Sequence, residues 1–201
     1  MRAWLLGGCL ALLLLAQETM AGTLLVVGDS ISAALGLETS QGWVSLLEKR
    51  LVEQGYQHRV INASISGDTS AGGLARLPAL LDEYQPSLVI IELGGNDGLR
   101  GQSPAQLQQN LAGMIDNVRS RGASVLLLGM RLPPNYGARY TLAFSQVYSA
   151  LAEEKQVSLV PFFLEGVGGV PDMMQADGIH PQAKAQPRLL DNLWPTLKPM
   201  L

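Results

Sequence analysis

The chain has 201 residues, of which 47% are hydrophobic and 15% are charged. This composition is typical of a packed globular protein and excludes a disordered one. The length suits one well-filled domain and is short for two. A formal net charge of −3, without any cluster of Lys and Arg, gives no electrostatic basis for binding nucleic acid. No nucleic-acid partner is therefore expected.

The first 21 residues have the pattern of a secretory signal peptide. Met1-Arg2 carries one positive charge, residues 3–16 are apolar, and small residues stand at the last and third-last positions. We predict cleavage after Ala21, a periplasmic or secreted location, and a single mature domain over residues 22–201. A retained anchor is the alternative, but this apolar run is short for a bilayer span. No stable membrane anchor is expected after cleavage.

The only cysteine, Cys9, lies within the predicted signal peptide. The mature chain would therefore contain no disulfide, no thiol nucleophile and no cysteine-based metal site. This excludes the chemistry of a cysteine hydrolase or a zinc–thiolate centre from the mature protein.

Short apolar runs alternate with longer amphipathic segments along the rest of the chain. Runs of Val, Ile and Leu predict strands buried on both faces of a sheet, at residues 24–27, 59–62, 88–91, 125–128 and 157–160. Apolar residues at helical spacing predict helices over about residues 42–54, 74–84, 104–122 and 140–155, and a last helix carrying 189–194. This alternation predicts an α/β fold, a three-layer αβα sandwich with a five-stranded parallel sheet of the flavodoxin-like type.

Gly28-Asp29-Ser30 follows the first predicted strand, where the chain turns out of the sheet towards a helix. The Ser30 hydroxyl should therefore lie at the carboxyl edge of the sheet, where open α/β sheets bind their ligands. A serine at this edge is a candidate nucleophile if a base, an acid and oxyanion donors lie nearby. Asp and Ser are also good N-cap residues, so helix capping is the alternative role.

Two histidines are available as the base. His58 stands just before the second strand, which places it at the opposite edge of the sheet from Ser30 and predicts a solvated surface side chain. His180 follows the last strand, in a loop that can return over the carboxyl edge. Asp177 precedes it by three residues, a spacing that brings two side chains together, and its carboxylate would fix the imidazole tautomer. An Asp–His turn without chemistry is the alternative.

Donors to an oxyanion are expected from the loops after the second and third strands. Gly67 lets a backbone N–H approach a ligand without a side chain in the way. Asn96 offers a side-chain amide that can face developing negative charge. Gly, Asn and Asp are also common turn residues, and we interpret Asp68 and Asp97 as carboxylates that hold their loops.

Four short blocks resemble, in order, the motifs of the SGNH or GDSL hydrolase family: Gly28-Asp29-Ser30, Gly67, Gly94–Asp97 and Asp177–His180. The segments ASISGDTS, GLARLPALL, ELGGNDGLRG and MRLPPNYGARY resemble the bacterial periplasmic thioesterases, lysophospholipases and arylesterases of that family. The resemblance covers essentially the whole mature chain and implies the SGNH hydrolase fold.

The resemblance also implies a role for each candidate residue. Ser30 is the expected nucleophile, His180 its base and Asp177 the partner of that base. The oxyanion is expected to accept from the N–H groups of Ser30 and Gly67 and from the Asn96 side chain. We therefore predict acyl transfer to water through a covalent acyl-enzyme, with no metal and no cofactor.

The resemblance favours small-molecule acyl esters and thioesters as substrates: acyl-CoA, lysophospholipids, aryl esters and medium- to long-chain fatty acyl esters. Apolar loops are expected to border the cleft, although ordinary loop packing is the alternative, with candidate substrate contacts at Leu132, Pro133, Tyr136, Val170 and Met173. A carbohydrate deacetylase of the same family, and a flavodoxin-like module that binds phosphate at its Gly-rich loops, stay open as alternative functions. We expect a monomer.

Overall fold

Five parallel strands form one sheet at the centre of the computed structural model, which describes residues 22–201. The strands are β1 (Thr23–Gly28), β2 (Arg59–Asn62), β3 (Leu88–Glu92), β4 (Ser124–Leu128) and β5 (Ser158–Val160). Their order across the sheet is β2-β1-β3-β4-β5, and every neighbouring pair is parallel. The predicted signal peptide and Cys9 lie outside the described residues.

Within residues 22–201, six α-helices connect and cover the strands: α1 (Trp43–Glu53), α2 (Ser70–Tyr84), α3 (Gly95–Leu99), α4 (Pro104–Ser120), α5 (Ala138–Lys155) and α6 (Gln186–Leu197). Helix α4 packs against α2 and α5, whereas α1 packs against α6. These two groups are the outer layers of the predicted αβα sandwich, which is confirmed.

The interior strands β1 and β3 are buried on both faces because helices cover the sheet from each side. Residues 24–27 of β1 are fully buried, as are residues 89–91 of β3, which explains their uninterrupted apolar sequences. The edge strand β2 is more exposed. Between α1 and the loop after β5, Trp43 and Phe163 pack edge to face with ring centroids 5.2 Å apart.

The predicted strands agree with the structure to within one residue at each end, but two local interpretations are wrong. Ser30 caps no helix, because residues 30–36 form a series of turns and α1 begins only at Trp43. We call residues 29–35 the Ser30 turn. The segment Gly94–Asp97, which reads as a loop, instead starts the short helix α3 after Gly94.

No helix within residues 22–201 is both long enough and apolar enough to cross a bilayer.

Candidate active site

Ser30 lies in the Ser30 turn directly after β1, at the carboxyl edge of the sheet. Two backbone hydrogen bonds close the turn, from Ala33 N to Asp29 O at 2.9 Å and from Leu35 N to Ser30 O at 3.0 Å. The serine is 8% exposed, so its hydroxyl is largely shielded from bulk water.

His180 and Asp177 meet Ser30 from the other end of the chain. The Ser30 Oγ lies 2.9 Å from His180 Nε2, and His180 Nδ1 lies 2.6 Å from Asp177 Oδ2. The other carboxylate oxygen, Asp177 Oδ1, accepts from the backbone N–H groups of Ile179 and His180 at 2.9 and 3.0 Å. Hydroxyl, imidazole and carboxylate therefore form one continuous hydrogen-bonded series across 150 residues of sequence.

The Asp177 carboxylate is stabilised in its charged form. The side-chain hydrogen bond with His180, followed by the two backbone hydrogen bonds, lowers the pKa of Asp177 to about 2. The Asp177 side chain is 44% exposed, so water screens its interaction with His180. We therefore expect this pair to orient the imidazole and to contribute little to the stability of the fold.

The loop that carries His180 is fastened on both sides. Met174 and Pro181 form an isolated antiparallel bridge, and Gln175 N donates to His180 O at 2.7 Å. The Gln175 side chain reaches the Ser30 turn, where its Nε2 donates to Leu35 O at 2.8 Å. Gln175 therefore links the loop that carries His180 to the Ser30 turn.

The predicted oxyanion site takes two of its three donors from the backbone. Within residues 22–201, the N–H groups of Ser30 and Gly67 donate to no backbone carbonyl. Gly67 has φ of +79°, a left-handed conformation that glycine adopts without strain. Arg100 lies 3.8 Å from the position that a Cβ on Gly67 would take.

The Asn96 amide is already engaged in the structure. Its Nδ2 donates to Asp29 Oδ2 at 3.0 Å and to Asp68 O at 2.9 Å. An amide nitrogen has two hydrogens, so both have acceptors. To donate to an oxyanion, Asn96 must share or exchange one of these hydrogen bonds.

Two buried carboxyl groups adjoin Ser30, Asp29 within the Ser30 turn and Glu92 at the end of β3. Burial raises the pKa of Asp29 to about 6, against the opposing effects of hydrogen bonds from Ile31 N and Asn96 and of the nearby His180. Burial also raises the pKa of Glu92 well above its usual range, and the Asp29 charge acts in the same direction. Ionisation of both carboxyl groups is unfavourable, because each is buried and the two negative charges would repel each other.

The other polar residues singled out in the sequence have structural contacts. Asp68 forms an ion pair with Arg76 at 2.8 Å, and Asp97 accepts from the backbone N–H and the hydroxyl of Ser70, as expected of carboxylates that hold loops. His58 is not the solvated side chain we predicted. It is half-buried, and its Nδ1 has no partner among residues 22–201, so burial lowers its pKa.

The five predicted substrate contacts differ in exposure. Leu132 is buried beside Gly98 of α3, and Tyr136 donates to Leu99 O at 3.3 Å. Pro133 and Val170 are exposed, and Met173 is half-buried. Their contact with substrate stays a prediction.

A cavity of about 570 Å³ lies near two of these candidates. Its lining comes from the segment around Val170 and Met173 and does not include Ser30, the residues being Gly169, Pro171, Met174, Gln175, Ala176, Gly178 and Gln182. We therefore place the candidate active site at the hydrogen-bonded series of Ser30, His180 and Asp177 and not in this cavity.

Glu92 supports the Ser30 turn through contacts that the sequence did not predict. Glu92 accepts from Ser32 Oγ at 2.6 Å, and Ser32 Oγ accepts in turn from Trp43 Nε1 at 3.3 Å. The available signal was a single acid at the end of the otherwise apolar strand LVIIE. Within residues 22–201, no group of three or more His, Cys, Asp or Glu side chains is arranged to hold a metal ion.

Known proteins are similar to this chain over most of its length. The model of the GDSL-like lipase/acylhydrolase family matches residues 26–186. Esterase TesA of Pseudomonas aeruginosa is 73% identical over 201 residues, the full length of both chains. Thioesterase 1/protease 1/lysophospholipase L1 of Escherichia coli K12 is 47% identical over 198 residues, 98% of this chain and 94% of that protein. A crystal structure of TesA has a TM-score of 0.88 at 74% identity, covering 89% of this chain and 99% of that one.

The raised pKa of Asp29 predicts a specific pH dependence of stability. The folded protein holds this proton more tightly than the unfolded chain, so its stabilising effect is complete below about pH 4 and is lost as the pH rises through about 6. Asp29→Asn removes the titration. We expect the free energy of unfolding of the variant, relative to the original protein, to rise by roughly 1–3 kcal/mol between pH 4 and pH 7. Urea denaturation across this range measures the difference, and a flat or falling difference would contradict the assignment.

Proposed function

The chain is a member of the GDSL-like lipase/acylhydrolase family and an ester hydrolase, and we propose that it hydrolyses acyl esters and thioesters with Ser30 as the nucleophile. The observation that carries this proposal is the 2.9 Å contact of the Ser30 hydroxyl with His180 Nε2. A serine is a weak nucleophile by itself and needs an adjacent base in this position.

The first step uses His180 as a general base. As Ser30 Oγ attacks the acyl carbonyl, its proton passes to His180 Nε2, and the Nδ1–H remains bonded to Asp177. The Asp177 carboxylate keeps the imidazole in the tautomer whose Nε2 can accept a proton and stabilises the imidazolium that forms. Its lowered pKa supports this role, because the carboxylate stays charged through the neutral range.

The negative oxygen of the tetrahedral intermediate is proposed to accept from the N–H groups of Ser30 and Gly67 and from Asn96 Nδ2. Neither N–H group has a backbone acceptor in the part of the chain that the structure describes, and Asn96 is held in place through Asp29. Collapse of the intermediate passes the proton from His180 to the leaving alcohol or thiol. Water then repeats the sequence on the acyl-enzyme and frees the acid.

Apolar side chains around the site support an acyl substrate. Leu35, Ile65 and Ile179 are 45%, 52% and 41% exposed, although large aliphatic side chains are more often buried. Leu35 ends the Ser30 turn, Ile65 precedes Gly67 by two residues, and Ile179 adjoins His180. A hydrocarbon chain would shield this apolar surface from water, as would the aryl part of an aromatic ester. Acyl-CoA and lysophospholipids share such a chain.

We also propose that the enzyme is exported and acts as a monomer. The pattern of the first 21 residues supports cleavage after Ala21 and a periplasmic or secreted location without a membrane anchor.

Labelling with a fluorescent alkylphosphonate tests the nucleophile. We expect one label per molecule, on the peptide that contains Ser30, and we expect Ser30→Ala to lose both the label and about 10⁴-fold or more of ester turnover. Ser64→Ala is the matched control, because Ser64 is another serine in a loop at the same sheet edge. Label on another residue, or full turnover by Ser30→Ala, would overturn the proposal.

Replacement of Asn96 tests the oxyanion contact. Asn96→Ala should lower kcat by about 10²- to 10³-fold, with KM little changed, because the lost donor acts mainly in the transition state. Asn192→Ala is the control, since Asn192 Nδ2 also donates to two oxygens, Phe163 O and Glu165 O, away from Ser30. Equal kcat values for the two variants would exclude Asn96 from the oxyanion site.

The substrate class predicts a dependence on acyl chain length. We expect kcat/KM to rise from p-nitrophenyl acetate to the octanoate, because each buried methylene contributes about 0.8 kcal/mol. Preference for the acetate, together with release of acetate from acetylated sugars, would instead indicate a carbohydrate deacetylase. A bound nucleotide with no turnover of any ester would indicate the phosphate-binding module.

A further inference from the structure

Glu92 is a buried acid that no step of the proposed reaction uses. It is the last residue of β3, fully buried, and pairs in register with Gly28 at the end of β1. Its Oε2 accepts from Ser32 Oγ at 2.6 Å and from Asp29 N at 3.3 Å. The two donors stand on either side of Ser30 in sequence, so one carboxyl oxygen spans the residue that carries the nucleophile.

The glycine at position 28 makes this contact possible. A Cβ on Gly28 would lie 2.7 Å from Ser32 Oγ and 2.8 Å from Glu92 Oε2. Real Cβ atoms essentially never approach other atoms so closely, and the obstacles here include the Cβ of the buried Ser32, also at 2.7 Å. The sequence Gly-Asp-Ser therefore accommodates the Glu92 carboxyl as well as the turn.

Ser32 extends the contact to two further elements. Its Oγ accepts from Trp43 Nε1 of α1 at 3.3 Å, and its carbonyl accepts from Asn62 Nδ2 of β2 at 2.8 Å. The Ser30 turn is therefore held by β2, β3 and α1 together. Glu92 of β3 binds residues on both sides of Ser30.

The surroundings of the Glu92 carboxyl group favour its neutral, protonated form. Its second oxygen, Oε1, is buried and has no partner among residues 22–201. A carboxylate with an unpartnered oxygen beside the Asp29 carboxyl would be costly to bury, whereas a neutral acid is much less so. Burial raises the pKa of Glu92 in agreement with the neutral form.

We propose that Glu92 is a positioning residue for catalysis, which holds the Ser30 turn so that Ser30 Oγ faces His180 Nε2 and Ser30 N faces the oxyanion. The inference rests on the proposed role of Ser30 as nucleophile. Without Glu92, the Asp29 N–H and the Ser32 hydroxyl lose their acceptor, and the turn between them can shift. A misplacement of about 1 Å is enough to lower a rate by about 100-fold.

The effect should appear in kcat and not in KM. Ile65 and Ile179, two of the exposed apolar residues that support acyl binding, lie outside the Ser30 turn that Glu92 holds. Substrate binding should therefore survive a shift of the hydroxyl, whereas proton transfer and attack should not. A role in stability alone would lower neither kcat nor the rate of phosphonate labelling in the protein that remains folded.

Two replacements of Glu92 separate the effect of its hydrogen-bond acceptor from the effect of its side-chain volume. Gln has the shape of the neutral acid and keeps one oxygen that can accept from both donors, so we expect Glu92→Gln to retain kcat within several-fold. Leu fills the space without an acceptor, and Glu92→Leu should lower kcat and the phosphonate labelling rate by about 10- to 100-fold at unchanged KM. Val89→Ala, a cavity-forming change on the same strand, should lower stability and leave kcat unaltered.

Ser32→Ala gives an independent test if Glu92→Leu does not fold. It removes the hydroxyl that joins Glu92 to the turn, and we expect a kcat loss at unchanged KM. Where Glu92→Leu does fold, the two losses should not be additive. Wild-type kcat in folded Glu92→Leu or in Ser32→Ala would overturn the inference, as would equal losses in Glu92→Gln and Glu92→Leu. Ser30→Ala is measured alongside: if it stays active, the proposed function fails, and if it alone is inactive, only the role of Glu92 fails.

Discussion

The approach of β3 to β1 at Gly28 is the contact on which the geometry of the site depends. Gly28 has no side chain, and the space that a Cβ would occupy lies against Ser32 and the Glu92 carboxyl. The chain therefore leaves the sheet over a buried acid rather than over apolar side chains. This packing gives the turn after β1 a fixed polar support directly beneath Ser30.

A parallel sheet then assembles the site from distant parts of the sequence. The carboxyl ends of β1, β2 and β3 lie at one edge, so the segments carrying Ser30, Gly67 and Asn96 converge there. The loop before α6 returns His180 to the same edge. The buried acids Asp29 and Glu92 are unfavourable for the fold and are retained where they hold these segments together, as is common for strained or polar features at functional sites.

The sequence predicted the sheet and the candidate residues well because both depend on short-range patterns. Buried parallel strands are uninterrupted apolar runs, and Asp177 and His180 are close enough in sequence to pair locally. The helix α3 was missed because Gly, Asn and Asp favour turns in isolation, whereas Asp97 here is held by Ser70 from α2. Leu132 could not be assigned, since an apolar loop residue can face the core or a cleft equally well. The hydrogen-bond partners of Glu92, Ser32 and Asp29, are 60 and 63 residues away in sequence, which local patterns do not reveal.

The most direct test of the account is a crystal structure of the alkylphosphonate adduct. We predict a bond from Ser30 Oγ to phosphorus and one phosphonyl oxygen within about 3.2 Å of Ser30 N, Gly67 N and Asn96 Nδ2. Asn96 should then have exchanged or shared one of its hydrogen bonds to Asp29 and Asp68. An adduct whose oxygen points away from these donors, with Asn96 still bonded only to Asp29 and Asp68, would contradict the proposed oxyanion site.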